Sequence, residues 1–311
     1  MKAVFFSPWK NVWVDYIDKY FKDTDIQLDF DISYQINLNR MYKYDVAIFG
    51  WCDPNIVKLS KWPFRYCTRY IVFVRSYEIF FGYVNKVAWK NINDVIFVNW
   101  EFYNEFKPKL EPFGCRVHYL PNAIDLEKWK KQDHAKGFNV AMVANLSHKK
   151  GVDLIPQFLY KLVQEDKRYF LHIAGRKDES RHVIYMQHLL EEMGLLENYK
   201  LYGKVDNVQE WLKDKDYLFT CSVTEGCPNN VIEAMALGIK PIIHNWIGAK
   251  HDFPHYLIWD DLDKAVDLVT RRGYLSDFYR YYAEQRFDMY KIYPQLEEIL
   301  RLESKNENTG N

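Results

Sequence analysis

The chain has 311 residues, 48% hydrophobic and 27% charged, which suits two soluble globular domains of about 100–200 residues each. Its 42 Lys/Arg balance 42 Asp/Glu, so bulk charge excludes a nucleic-acid binder recruited electrostatically. Residues 1–136 are slightly basic and the remainder slightly acidic, a weak pointer to an anionic partner at the front.

Short β-branched or aromatic runs alternate with amphipathic stretches from end to end. Strand candidates in the front half are 4–6, 45–49, 70–74, 95–99 and 117–120, with helical patterns such as 11–22 and 100–106 between them. The back half repeats the plan with strands at 139–143, 170–174, 217–220 and 240–243. Its helices fall near 152–165, 182–192 and 229–237. Near-continuous apolar strands separated by helices imply parallel sheets covered on both faces. Two such sets predict an α/β protein of two doubly wound domains, 1–136 and 137–275, divided at the polar segment 130–137. No convincing strand follows Trp259. Residues 276–303 read as helix interrupted at Pro294, and the tail 304–311 as disordered.

The cysteines Cys52, Cys67, Cys115, Cys221 and Cys227 are odd in number and lack CxxC spacing. This argues against a disulfide framework or a zinc site and fits a reducing cytosol. The first apolar run is too short for a signal peptide, and no stretch approaches the roughly 18 apolar residues of a membrane span. Cytoplasmic residence is the expectation.

The most informative segment is TCSVTEGCPNNVIEAMALGIKP, residues 220–241. Gly226 and Pro228 break regular structure after a strand, Pro228 suits the first turn of a helix, and Gly238 ends that helix. Glu225 then lies on the loop at the carboxyl end of a strand. Glu233 lies one turn into the helix, on the same flank as Asn230. Amides at a helix N-terminus favour a phosphate, and a carboxylate nearby can accept hydrogen bonds from a ribose diol. The arrangement suits a nucleotide diphosphate sugar.

The segment EGCPNNVIEAMALGIKPII resembles the Glu-x7-Glu signature of the retaining family-4 glycosyltransferases. The resemblance implies the GT-B architecture, two facing Rossmann-like domains with C-terminal helices, 276–303, returning to the first. It implies that Glu233 holds the ribose and Glu225 contacts the donor sugar. Backbone amides near Gly226–Asn229, the turn that includes Cys227 and Pro228, would border the diphosphate. The segment VANLSHKKGVDL is similar to the family's phosphate-binding loop, with Lys150 neutralising the leaving diphosphate in place of a metal ion. Asn145 stands where the family has Arg, and Arg176 or Lys177 is the candidate replacement. Lys204 and Val205 fall where the family's backbone meets the nucleobase. LPNAID, residues 120–125, resembles the turn that closes the first domain. The resemblance covers residues 116–270 well and the front domain in outline.

In the front domain the family's Gly-rich turn is replaced by FFSPWKNVW, where Ser7, Trp9, Lys10 and Asn11 are cleft candidates. No His occupies the region 72–80, where many family members present one to the transferred sugar. Arg75 and Glu78, at the carboxyl end of a strong strand, are the catalytic candidates there, and GWCD at 50–53 is a third acceptor-wall segment. The basic and aromatic stretch 58–75 reads either as a buried strand with basic flanks or as a contact for anionic lipid at the inner membrane face. His118 and His172 fall within strand patterns. His244 and His251 lie in loops nearer the donor, without metal-ligand spacing.

The expected activity is hexosyl transfer from a nucleotide diphosphate sugar to a glycan, lipid-linked or protein acceptor. Retention of configuration comes from the resemblance, and no cofactor or metal is expected. Two rivals are a sugar-nucleotide epimerase or hydrolase of the same fold, and a degenerate binder without turnover. No GxGxxG follows a first strand, which disfavours a dinucleotide-dependent dehydrogenase.

Overall fold

A computed structural model describes residues 1–35, 41–62 and 69–303. The chain divides into two compact units, Met1–Asp125 with Phe287–Asn311, and Leu126–Arg286. Each unit is built on a six-stranded sheet in which every pairing is parallel.

The first sheet contains β1 (Lys2–Ser7), β2 (Gln27–Ile32), β3 (Val46–Phe49), β4 (Arg69–Val74), β5 (Asp94–Phe97) and β6 (Arg116–Tyr119), ordered β2-β1-β3-β4-β5-β6. Strands β3, β4 and β5 are buried along their whole length, which is why they read as unbroken apolar runs. The helix Val12–Phe21 packs against the helix Met289–Arg301. The Tyr20 and Tyr293 rings lie 5.7 Å apart, and the Tyr20 hydroxyl donates to Glu297 at 3.0 Å.

The amino ends of β4, β5 and β6 carry a buried ion network. Asp94 is fully buried and accepts from Arg69 (Nη2, 2.5 Å) and Arg116 (Nε 2.7 Å, Nη2 2.9 Å), with His118 Nε2 at 3.0 Å. The Arg69 guanidinium also caps the end of the helix Met289–Arg301, donating to the carbonyls of Ile299 at 2.8 Å and Leu300 at 2.9 Å. Arg69 is therefore the buried start of a strand. The basic and aromatic stretch 58–75, read as a buried strand with basic flanks or as a lipid contact, otherwise includes residues 63–68, which lie outside the described residues, as does the tail 304–311.

The second sheet contains β7 (Asn139–Val143), β8 (Phe170–Ala174), β9 (Tyr199–Gly203), β10 (Tyr217–Thr220), β11 (Lys240–His244) and β12 (Ile258–Trp259), ordered β12-β11-β10-β7-β8-β9. Its core centres on Phe219 of β10. That ring stacks at 3.8 Å on Phe158 of the helix Ile155–Glu165 and at 5.6 Å on Trp259 of β12. No helix among the described residues is long and apolar enough to cross a membrane, and Cys52, Cys115, Cys221 and Cys227 are buried thiols outside any disulfide.

Three expectations are corrected. The first unit ends at Asp125, not at residue 136. Trp129 is buried and Gln132 donates its N–H to Leu237 at 3.0 Å, so the polar segment is fastened to the second unit. The helix Ser276–Arg286 packs on the helix Asn229–Leu237 of the second unit, and only the final helix returns to the first. The break between those two helices falls at Phe287–Asp288, while Pro294 sits inside a continuous helix. The reason is backbone pairing: Ile124 donates to Phe287 at 2.8 Å and accepts from Met289 at 3.0 Å, withdrawing those groups from helical bonding.

Candidate active site

In the second sheet the strand order reverses between β7 and β10, the kind of switch point at which open α/β sheets bind ligands. The loops that follow these two strands, 144–151 and 221–228, contain the charged residues singled out by the sequence. Backbone contacts draw them together. Val223 donates its N–H to Lys149 at 2.9 Å, and the Cys221 thiol donates to the Lys150 carbonyl at 3.2 Å. Gly151 has φ +64, and a Cβ there would lie 1.9 Å from the Cys221 carbonyl oxygen. Only glycine tolerates both the left-handed backbone and that approach. Gly151→Ala should therefore push the two loops apart, lowering Tm by several degrees and donor affinity at least 10-fold; a thermal melt and calorimetry check both.

Close apposition lets the Lys150 ammonium bind Glu225 Oε1 directly. Glu225 is 6% exposed. Burial alone would raise its pKa. The Lys150 and Lys149 charges, with hydrogen bonds from Lys150 and Ser222, outweigh burial and hold the carboxyl below its ordinary range. It is ionised at neutral pH. The Lys150 side chain is 20% exposed, against 8% for that of Glu225.

Glu233 sits one turn into the helix Asn229–Leu237 and is partly buried. No hydrogen-bond donor among the described residues reaches its carboxylate. Burial pushes it up to about 7, opposed only by the charge of Lys128. The two glutamates are thus held in different states, one fixed as an anion and one poised near neutrality. Asn230, noted in the sequence only for sharing a flank with Glu233, donates from Nδ2 to the Val143 carbonyl at 2.9 Å and pins the helix start to the end of β7. Gly226, Cys227 and Pro228 are buried in the turn. Pro228 is the capping residue before the helix, not its first turn, because its ψ of 113 is extended.

Asn145 Oδ1 accepts the Arg176 backbone N–H at 3.2 Å, and Leu146 donates to the Arg176 carbonyl at 2.7 Å. These bonds tie the loop after β8 to the loop after β7. The Arg176 guanidinium is exposed and lies 3.6 Å from Asp178, with no contact to the Lys150–Glu225 pair. Lys204, exposed, and Val205 follow β9 at the far edge of the sheet. His244 ends β11, bonds the Ser222 carbonyl through Nδ1 at 2.7 Å and stacks on Trp259, so it braces the 221–228 loop. His251 pairs instead with Asp252. His172 lies between Tyr202 and Asn139, its pKa lowered to about 4 chiefly by burial. Among the described residues no three His, Cys, Asp or Glu side chains converge as metal ligands do.

In the first unit, Arg75 and Glu78 follow β4 and are both buried. Glu78 accepts the Cys52 N–H at 3.3 Å and the Arg75 N–H at 3.0 Å, joining the loops after β3 and β4. Burial pushes its carboxyl up to about 7. The Arg75 guanidinium lies over the rings of Trp13 (4.3 Å) and Trp51 (4.8 Å), donates to the Gly50 carbonyl at 3.4 Å, and donates to Asn122 Oδ1 at 3.0 Å. Both residues brace the carboxyl edge of the sheet. That is positioning work rather than the catalytic contact expected of them. Trp13 is buried in the core, whereas Trp9 is exposed. Lys10 forms an exposed pair with Asp15, and Asn11 precedes the first helix without a side-chain cap.

Residues 124–255 match the family model described as glycosyl transferases group 1. No curated protein matches the sequence at a significant level. Among solved structures the chain is similar to Anabaena HepE in complex with UDP, with TM-score 0.76, 16% identity, and 96% of this chain and 99% of that chain covered. It is similar to sucrose-phosphate synthase from Thermosynechococcus elongatus, with TM-score 0.75, 12% identity, and coverage of 97% and 98%. Staphylococcus aureus TarM gives TM-score 0.67 and 13% identity, with coverage of 86% and 59%. Two six-stranded parallel sheets with flanking helices, matched over almost the whole chain by such structures, identify the fold as the GT-B fold of glycosyltransferases.

Proposed function

We propose that this chain is a glycosyltransferase that moves a hexose-type sugar from a nucleotide diphosphate sugar to an acceptor hydroxyl, with retention and without a metal ion. The observation that carries the reading is the Lys150–Glu225 pair at the sheet's switch point, with Glu233 on the adjoining helix. Glu233 supplies an acceptor for ribose hydroxyls, and Glu225 orients Lys150 and meets the transferred sugar. In the reaction the bond from the anomeric carbon to the diphosphate oxygen breaks, and its electron pair goes to the diphosphate. The acceptor oxygen bonds to the anomeric carbon, and its proton passes to the departing diphosphate oxygen. Lys150 stabilises the charge that develops on the departing diphosphate, the role a metal ion has elsewhere. UDP-sugars are the first donors to test, because the HepE structures contain UDP and UDP-glucose.

Calorimetry with UDP tests the donor site. Glu233→Ala should weaken UDP binding at least 10-fold, and unchanged affinity would sink the assignment. A pH series adds a second readout. The Glu233 carboxyl titrates near 7, so it gains a proton as pH falls and loses acceptor strength. Wild-type affinity for UDP should fall as pH drops from about 8 to 6, and the Glu233→Gln variant should lose that dependence. UDP release from UDP-glucose that requires an added acceptor separates transfer from epimerisation or hydrolysis. No release from any sugar nucleotide would leave only a binder.

A further inference from the structure

The carboxyl edge of the first sheet carries a row of aromatic rings that donor binding does not use. Tyr34 lies two residues past β2, Trp9 two past β1, Trp51 two past β3 and Tyr77 three past β4. Their spatial order therefore follows the strand order, one ring from each of four adjacent strands. Ring centroids are 5.9 Å apart from Tyr34 to Trp9, 5.3 Å from Trp9 to Trp51 and 5.3 Å from Trp51 to Tyr77. These steps are close to the spacing of strands in a sheet, so the row runs roughly 14–15 Å along the edge.

The outer half of the row is open to solvent, while Trp51 and Tyr77 are partly buried. Tyr34 is 71% exposed and Trp9 39% exposed. Polar groups accompany the rings. Asp53 and Asn55 line the small hollow beside Trp51, and the Tyr77 hydroxyl has no hydrogen-bond partner among the described residues. Among the described residues, the nearby cations are poorly placed to greet an anion there. Lys10 is paired with Asp15, and the Arg75 guanidinium is buried against the inner rings.

We propose that this row is the acceptor subsite and that the acceptor is a saccharide, a conclusion that rests on the transferase reading. A pyranose offers an apolar, slightly positive C–H face and a rim of hydroxyls. The first matches the negative face of an aromatic ring, and the second matches Asp53, Asn55 and Tyr77. The length of the row accommodates two or three sugar rings in succession, centred on Trp9 and Tyr34. Arg75 and Glu78 gain their purpose here, because they hold the loops that present Trp51 and Tyr77.

The test is binding of the full chain, saturated with UDP, to an array of immobilised mono- to tetrasaccharides. The wild type should be retained on a subset. Trp9→Ala and Tyr34→Ala should lose that retention at least 10-fold, Trp9→Phe should keep most of it, and all should bind UDP as the wild type does. Both rings are exposed, so the alanine variants should fold. Retention of the wild type on no saccharide, or equal retention of the alanine variants, would overturn the proposal. So would Trp9-dependent capture by phosphatidylglycerol vesicles without saccharide binding. Failure of the donor reading shows separately, as absence of UDP binding by the wild type.

Discussion

Lys150→Met is expected to reduce kcat by about 10²–10³-fold, the usual loss when one group stabilising a developing anion is removed. The ammonium is the cation bound to Glu225, on a loop that leaves β7 at the β7/β10 switch point. Removing it also takes from the buried Glu225 carboxylate its bound counter-charge, leaving the charge of Lys149 and the Ser222 hydrogen bond. Loss of one partner costs about 3–5 kcal/mol in comparable buried pairs. The two consequences separate in the Lys150→Met/Glu225→Gln double variant, which should recover most of the melting temperature and none of the turnover. Steady-state kinetics with UDP-glucose and thermal melts provide both numbers. A Lys150→Met enzyme that turns over at the wild-type rate would remove Lys150 from the mechanism.

Asp94→Asn should be the most destabilising conservative change in the first unit. The variant keeps the shape of the side chain and removes the charge facing Arg69, Arg116 and His118. Arg69 is itself buried, so its guanidinium becomes an uncompensated charge, with an expected cost of about 3–5 kcal/mol. For a chain of this size that corresponds to a fall in Tm of roughly 10 °C. The pH dependence has a definite sign. Burial would raise the Asp94 carboxyl, but hydrogen bonds from His118 and Arg116, and the charge of Arg69, hold it well below the usual carboxylate range. A depressed folded value gives stability that is complete above about pH 4 and lost as pH falls further. Wild-type melts should therefore decline steeply on acidification below pH 4. The Asn variant should start lower and decline less. Equal Tm values at pH 7 would show that the network contributes nothing net.

The parts of this molecule legible in its sequence are those whose signal is local. Strands β3, β4, β7, β8, β10 and β11 are apolar runs bounded by turns, and they stand out. Strand β2, QLDFDI, mixes acidic and half-buried apolar positions, while β9 is a half-exposed edge strand and β12 is two residues long. None carries a pattern strong enough to read. Glu225 and Glu233 are legible as a pair because one turn and one helix fix their relation. The partnership of Glu225 with Lys150, 75 positions away, depends on Gly151 lying against Cys221, and no spacing rule reports it. The same holds for Arg69, Asp94 and Arg116, which meet because β4, β5 and β6 are neighbours. The aromatic row is further still from any local pattern. Trp9, Tyr34, Trp51 and Tyr77 form a line only once the strand order β2-β1-β3-β4 is known.

The backbone exchange between Ile124 and residues 287 and 289 has a consequence for biosynthesis. The final helix buries Met289, Ile292, Tyr293, Leu296 and Leu300, and Arg69 holds its last carbonyls. A nascent chain thus emerges with its first domain lacking one wall. The second domain, continuous from Leu126 to Arg286, is complete on the ribosome before that wall is translated. The usual order of co-translational folding, amino-terminal domain first, is inverted for the finished form of this protein. The helix Met289–Arg301 thus closes a domain begun before the one that precedes that helix in the chain.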